Sequence, residues 1–151
     1  MNTLPPQAFA TSPRRQTMNN DILQAALTKY FAPWVQALAL RVESSTPQAV
    51  LLRLPQNNDL SRIGGMLCGQ AMTAAADTAM VLALINHFGE FRPCTTVQLS
   101  TSFLKPLSGQ DALIEARVIR AGKAMAFGEV DIRGAADGNS VCRSSTTYAL
   151  L

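Results

Sequence analysis

The sequence contains few of the residues from which metal sites and disulfides are built. It has one histidine, His87, and an odd number of cysteines, Cys68, Cys94 and Cys142, which lie far apart. No second Cys or His stands near any of them at the spacing of a metal site. The sequence therefore predicts reduced thiols in a cytoplasmic protein, and no zinc or other metal centre.

The sequence also lacks any concentration of charge. Only 15% of the residues are charged, and 13 Lys and Arg against 10 Asp and Glu give a formal net charge of +3. The basic residues are scattered singly except for Arg14 and Arg15. We therefore expect no nucleic-acid partner, while small anionic ligands remain possible. No glycine-rich phosphate-binding motif is present.

Segments typical of secretion or membrane insertion are not apparent. The first 17 residues lack the apolar core of a secretory signal, and their Pro and Thr content predicts a flexible arm over residues 1–17. The apolar run from Ala71 to Ile85 is shorter than the roughly 18 residues that span a bilayer. It also contains Asp77. We therefore expect no membrane contact, and a single soluble domain over residues 18–151.

What is present predicts a first helix and a hairpin. Asn19 to Asp21 offer capping side chains, and apolar residues then recur at helical spacing up to about Ala32, where Pro33 should end the helix. Two strand-like runs follow, "ALALRVES" and "AVLLRLP", separated by a polar turn.

The second half predicts one long helix and four strands. The alanine-rich run around Asp77 has high helical propensity. In the following "TTVQLSTSFL", apolar Val97, Leu99 and Phe103 should share one half-buried face. Three further strand-length segments are separated by turn residues. Because the long helix is apolar on every side, it must be enclosed, which predicts an α+β fold with an antiparallel sheet of about six strands wrapped around it.

Two segments carry a family resemblance. "GQAMTAAADTA", from Gly69 to Ala79, is followed by "TVQLSTSFLKPLSG", from Thr96 to Gly109. This pair resembles the PaaI-type acyl-CoA thioesterases, which have the hotdog fold. The resemblance implies that Asp77 is the catalytic acidic residue and that Gly69 and Gln70 occupy the two glycine positions before it. It also places Cys68 at the position of the family histidine and Arg62 at that of an asparagine. No cofactor is implied beyond the coenzyme A of the substrate.

Thioester hydrolysis would explain why a carboxylate, Asp77, is present in an apolar helix. An unpaired carboxylate in an apolar helix is costly, but a partly desolvated one can act as a general base on water. The backbone N–H groups of Gly69 and Gln70, at the helix N-terminus, could then stabilise the oxyanion. Eight residues separate Gly69 from Asp77, or roughly 12 Å along one helix. The resemblance implies a homodimer, possibly a dimer of dimers, in which Gly69 of one subunit faces the partner's Asp77.

Other side chains are candidates for contact with the acyl-CoA substrate. Near Asp77 and the helix start these are Cys68, Thr73, Thr78 and Arg62, of which Arg62 could meet a carboxylate or a phosphate of the ligand. For the coenzyme A phosphates the candidates are Lys105, Arg120 and Lys123. Each has a structural alternative. Lys105, Arg120 and Lys123 could be ordinary solvated charges, and Cys68 a packed thiol. Asp77 could be a structural carboxylate, bonded to Thr73 or capped by a backbone group.

Three functions remain in competition. The preferred one is acyl-CoA hydrolysis. The replacements at Arg62, Cys68 and Gln70 keep open a binding protein that retains the acyl-CoA pocket without turnover. A hotdog dehydratase would need His87 near a carboxylate, but His87 lies ten residues after Asp77, roughly 15 Å along a helix. There it should cap the helix end or face solvent.

Overall fold

The computed structural model describes residues 17–151. The predicted arm over residues 1–17 therefore lies outside the described residues, except for Thr17. The chain forms the following elements: α1 (Asn20–Tyr30), α2 (Pro33–Gln36), β1 (Arg41–Ser45), β2 (Ala49–Leu54), a short 3-10 helix (Asn58–Leu60), α3 (Gly69–Phe88), β3 (Cys94–Phe103), β4 (Ala112–Ala121), β5 (Met125–Gly134) and β6 (Ser140–Leu150).

The six strands make one antiparallel sheet in the order β1-β2-β4-β5-β6-β3. Hairpins join β4, β5 and β6, while β3 pairs with β6 at one edge of the sheet. The inward residues of the strands pack against α3 and form one core with it. This arrangement confirms the predicted α+β class and the hotdog architecture of a sheet around one long helix.

Helix α3 is the centre of the core. It begins after Cys68 and ends at Gly89, whose left-handed backbone (φ 74°) and N–H bond to Ile85 O close the last turn. At 20 residues it is long and apolar enough to cross a membrane, but 67% of its most apolar window is buried in the fold. The apolar residues all around it are explained by the sheet that surrounds it.

Helix α1 packs against β1 and the central helix α3, and α2 packs against α1. Asn19 caps α1 by accepting from the N–H of Asp21 at 2.8 Å, as the sequence predicted. The helix ends at Tyr30, slightly before the predicted end, and Pro33 then starts α2 as its first residue. A left-handed Ala39 (φ 55°) redirects the chain into β1.

Strand β3 differs from its prediction. A bulge between Thr96 and Gln98 shifts the register, so Thr96, Leu99 and Phe103 pair with inward residues of β6 while Val97 is 57% exposed. The predicted face of Val97, Leu99 and Phe103 therefore loses its first member. Because β3 is an edge strand, no neighbouring strand covers Phe103 from its open side, and the residue is 53% exposed.

Candidate active site

Asp77 lies on the side of α3 that turns toward β3 and β6. The hydroxyl of Tyr148 donates to Oδ1 of Asp77 at 2.5 Å, and the hydroxyl of Thr96 donates to the same oxygen at 3.0 Å. Tyr148 also approaches the backbone oxygen of Asp77 at 3.2 Å. Both side-chain donors bind Oδ1, which leaves Oδ2 without a donor among residues 17–151.

The strand pairing brings the two donors together. Thr96 on β3 and Tyr148 on β6 are directly paired and point to the same, inner face of the sheet. Tyr148 is only 1% exposed. Burial and the negative charge of Asp77 raise the pKa of Tyr148 well above its usual range, so the phenol stays protonated and remains a donor. Burial and the same charge also raise the pKa of Cys94.

The N-terminus of α3 presents two open donors. Cys68 is the N-cap: its Sγ accepts from the N–H of Ala71 at 3.4 Å, and its backbone oxygen accepts from Met72 at 3.3 Å. Within residues 17–151, no group accepts from the N–H groups of Gly69 and Gln70. Such N–H groups carry the positive end of the helix dipole and suit an oxyanion.

Phe103 covers Gly69 closely. A Cβ atom at position 69 would lie 3.2 Å from two ring carbons of Phe103, tighter than ordinary van der Waals contact. The absence of a side chain at Gly69 therefore lets the ring rest against the first turn of α3.

An apolar cleft of about 610 Å³ connects these features. Helix α3 forms its floor and β3 one wall, and α2 contributes Trp34 at the rim. The lining residues are Trp34, Gly69, Gln70, Thr73, Ala74, Asp77, Leu99 and Phe103. A carboxylate at one end, open N–H donors at the other and apolar walls between them suit a substrate with a reactive carbonyl and an apolar body.

The model of the family described as "Thioesterase superfamily" matches residues 64–141, which contain α3, β3, β4 and β5. The chain belongs to the thioesterase superfamily. That membership agrees with the hotdog fold and with a cleft that holds both a carboxylate and open N–H donors.

Individual relatives of this thioesterase-superfamily chain are distant. "Putative esterase SSO1253" of Saccharolobus solfataricus is 37% identical over 59% of this chain, and the match spans 57% of that relative's length. "Putative esterase Ta0293" of Thermoplasma acidophilum is 27% identical over 81% of this chain and 92% of its own. The solved structure of thioesterase HI1161 from Haemophilus influenzae has a TM-score of 0.79 at 18% identity, covering 91% of this chain and 93% of that one. At that identity the likeness concerns the fold.

Two of the side chains predicted to bind phosphate lie close together beside the cleft. Arg62 and Lys105 line a second cleft of about 410 Å³ on the other side of Phe103, together with Gly69 and Met72. Arg62 also approaches the sulfur of Met66 at 3.4 Å. The structure therefore places two cations next to the N-terminus of α3.

The other two predicted phosphate contacts lie at the opposite end of the sheet. Arg120 is the penultimate residue of β4, and Lys123 occupies the turn into β5. That turn lies level with the start of β3, because Met125 and Thr95 both pair with Ala149 of β6. Phe103, which lies beside Arg62 and Lys105, is the last residue of β3. Eight strand residues separate the two ends, or roughly 26 Å. One protomer does not bring the four cations together.

The two predicted threonines both bond to their own helix. Thr73 donates to Gly69 O at 2.9 Å and lines the cleft. Thr78 donates to Ala74 O at 2.8 Å and is buried in the core, away from the cleft. Neither orients Asp77, so the structural alternative of an Asp77–Thr73 bond is wrong.

His87 stands in the last turn of α3, with its ring edge against Phe88 at a centroid separation of 5.1 Å. The residue that caps the helix is Gly89, not His87. Among residues 17–151, no three His, Cys, Asp or Glu side chains are grouped as metal ligands would be.

The sequence interpretation missed Tyr148, Thr96 and Trp34 as site residues. Alternation in β6 could have placed Tyr148 on an inward face, but it could not show which helix residue meets it. No hydrophobic periodicity pointed to Trp34, since its helix, α2, has only four residues.

Proposed function

We propose that this protein is an acyl-CoA thioesterase of the PaaI type. The observation that carries the proposal is the immobilised carboxylate of Asp77 in an apolar cleft, with one oxygen held by Tyr148 and Thr96 and the other left for a water molecule. Family membership and the esterase names of two relatives support hydrolysis of an ester or thioester.

In the proposed reaction, Asp77 removes a proton from water as the water oxygen forms a bond to the thioester carbonyl carbon. The carbonyl oxygen becomes an oxyanion, which the N–H groups of Gly69 and Gln70 stabilise. When the oxyanion collapses, the C–S bond breaks, and the departing coenzyme A sulfur takes the proton from Asp77. The products are the free acid and the coenzyme A thiol.

The site is proposed to form between two subunits. Within one chain, Asp77 meets Thr96 near the start of β3, and Gly69 meets Phe103 at its end. If β3 pairs with its own copy about a two-fold axis near Ser100, the start of the strand, which carries Thr96, lies opposite the end of the partner's strand, which carries the partner subunit's Phe103. Gly69 then approaches the partner subunit's Asp77.

The open edge of β3 supports this dimer. The strand is ten residues long and carries the exposed apolar side chains Val97 and Phe103. The opposite edge, β1, has only five residues, contains a bulge and packs against α1. A long open edge with apolar side chains is a template for pairing with a strand of another chain. The same symmetry would bring Arg62 and Lys105 near the partner subunit's Lys123, which gives the coenzyme A phosphates a shared cationic site.

Hydrolysis is tested by thiol release from acetyl-, hexanoyl-, phenylacetyl- and hydroxybenzoyl-CoA. We expect wild-type protein to hydrolyse at least one ester and Asp77→Asn to lose at least about a hundredfold in kcat, as is typical for loss of a general base. Asp21→Asn, on the exposed surface of α1, is the matched control and should retain full activity. Unchanged activity of Asp77→Asn would refute the assigned role.

The shared site is tested by mixing two inactive variants, Asp77→Asn and Gly69→Leu, after unfolding and refolding them together. Hybrid dimers would contain one intact site of two, so about a quarter of wild-type activity should return. A site within one chain would return none.

A binding protein without turnover is the second candidate. The side chains of Cys68, Gln70 and Arg62 favour it, because they stand where the family has a histidine, a glycine and an asparagine. Tight binding of a coenzyme A ester in calorimetry, with no thiol release from any ester, would select it. Cytoplasmic location and the absence of a nucleic-acid or membrane partner remain predictions.

A further inference from the structure

Trp34 is an aromatic side chain in an unusual position. It is the only tryptophan in the chain and is 65% exposed, more than any other aromatic side chain among residues 17–151. It stands at the rim of the cleft that contains Asp77, and Phe103 forms part of the wall. A ligand that covered this exposed aromatic surface would gain binding free energy by removing apolar area from water.

The segment that carries Trp34 is firmly held. Gln36 donates to the backbone oxygens of Phe31 at 2.7 Å and Thr28 at 3.3 Å, which fixes α2 against the end of α1. Leu38, which follows α2, is buried in the core. The indole therefore projects from a fixed backbone, so a ligand that contacts it orders only the side chain and not the segment.

The cleft has a polarity that matches an acyl group. Asp77 supplies the reacting carboxylate, while Leu99, Phe103 and Trp34 supply apolar surface away from it. An acetyl group would need only the carboxylate and the donors. A larger acyl body would extend along the apolar walls and could contact the indole.

We propose that Trp34 is a specificity-determining residue that packs on the apolar body of the acyl group and selects bulky acyl groups over acetyl. This inference rests on the proposed thioesterase function. It assigns Trp34 to substrate binding, and the chemical step stays with Asp77.

The first test compares Trp34→Ala and Trp34→Phe with wild type on acetyl-, hexanoyl- and phenylacetyl-CoA. Trp34→Ala should lower kcat/KM about tenfold for the two larger esters, mainly through KM, and less than about twofold for acetyl-CoA. Trp34→Phe should recover most of the loss. An equal loss on all three esters, or none, would overturn the proposal.

The second test does not need turnover. Because Trp34 is the single tryptophan, its fluorescence in Asp77→Asn reports on this position alone. Hexanoyl-CoA should change the emission, and free coenzyme A should change it much less. If calorimetry shows hexanoyl-CoA binding while the emission stays constant, the indole does not contact the acyl group.

Two further outcomes are decisive. The first is that wild type hydrolyses none of the esters, while hexanoyl-CoA still changes the tryptophan emission. The thioesterase function then fails, and the role of Trp34 in binding stands. If Trp34→Ala weakens the dimer in analytical ultracentrifugation and leaves KM unchanged, the indole is covered by the partner subunit and the proposal fails.

Discussion

The hydroxyl of Tyr148 donates to Oδ1 of Asp77 at 2.5 Å across 71 residues of chain. This bond joins the central helix to the inward face of β6, near the end of that strand, and Thr96 adds a second donor from β3. The carboxylate is therefore held by two strands that are themselves paired. Tyr148 is a positioning residue, since it acts on Asp77 and does not line the cleft.

Replacing Tyr148 with Phe should destabilise the protein and reduce catalysis. Loss of the buried donor should cost about 1–3 kcal/mol in the free energy of unfolding, measured by urea denaturation. If the phenol positions Asp77, kcat should fall while KM changes little. Tyr30→Phe is the matched control, because Tyr30 is exposed and stacks on Phe91 through its ring. A merely structural Tyr148 would lower stability and leave kcat unchanged.

Alkaline pH should destabilise the protein through Tyr148. Its folded-state pKa is raised above the usual value of about 10, so the folded state keeps a proton that the unfolded state loses. The stabilisation is complete below pH 10 and is lost as pH rises, by up to about 1.4 kcal/mol per pH unit. Urea midpoints from pH 8 to 11 should fall more steeply for wild type than for Tyr148→Phe. Parallel slopes would contradict this assignment.

Gly128→Ala should destabilise the core. Gly128 on β5 faces α3, and an added Cβ would collide with the sulfur of Met80 and lie 2.9 Å from Arg117 O. The backbone oxygen cannot rotate away, so we expect a loss of about 1–3 kcal/mol in thermal or urea unfolding. Gly122→Ala, in the β4–β5 turn, meets only Met125 O at 3.6 Å and should have little effect.

Gly69→Ala should affect the site more than the fold. The new methyl group would push the exposed ring of Phe103 from the first turn of α3, because the contact is only 3.2 Å. We expect kcat/KM to fall several-fold, roughly what 1 kcal/mol produces, with nearly unchanged stability. Adding Phe103→Leu should restore part of the activity by making room. No loss in the single variant would show that the ring position is unimportant.

Local sequence signals predicted the elements well where the chain has a strong period or a clear cap. Asn19 marked the start of α1, and the apolar circumference of the central segment correctly indicated an enclosed helix. The bulge at Val97 was not predicted, because one extra residue in a strand leaves the alternation almost intact over a short window.

The candidate site was predicted only in its helical part. Asp77 stood out because a carboxylate is conspicuous in an apolar helix, whereas Gly69 was identified only through the family resemblance. Tyr148 and Trp34 were not identified, since no local pattern specifies which distant element a side chain will meet. Lys105, Arg120 and Lys123 looked equivalent in sequence, but the strand register separates Lys105 from Lys123 by the length of β3.

The sequence by itself determined that an apolar helix carrying one carboxylate must lie inside an antiparallel sheet, because burial of its apolar faces has no other economical solution. Only the tertiary structure decided what holds that carboxylate and what surrounds it. Periodicity shows which face of a strand turns inward, whereas strand order and register decide which residues on that face meet. That pairing placed Thr96 and Tyr148 together on Asp77 and left Trp34 over the cleft.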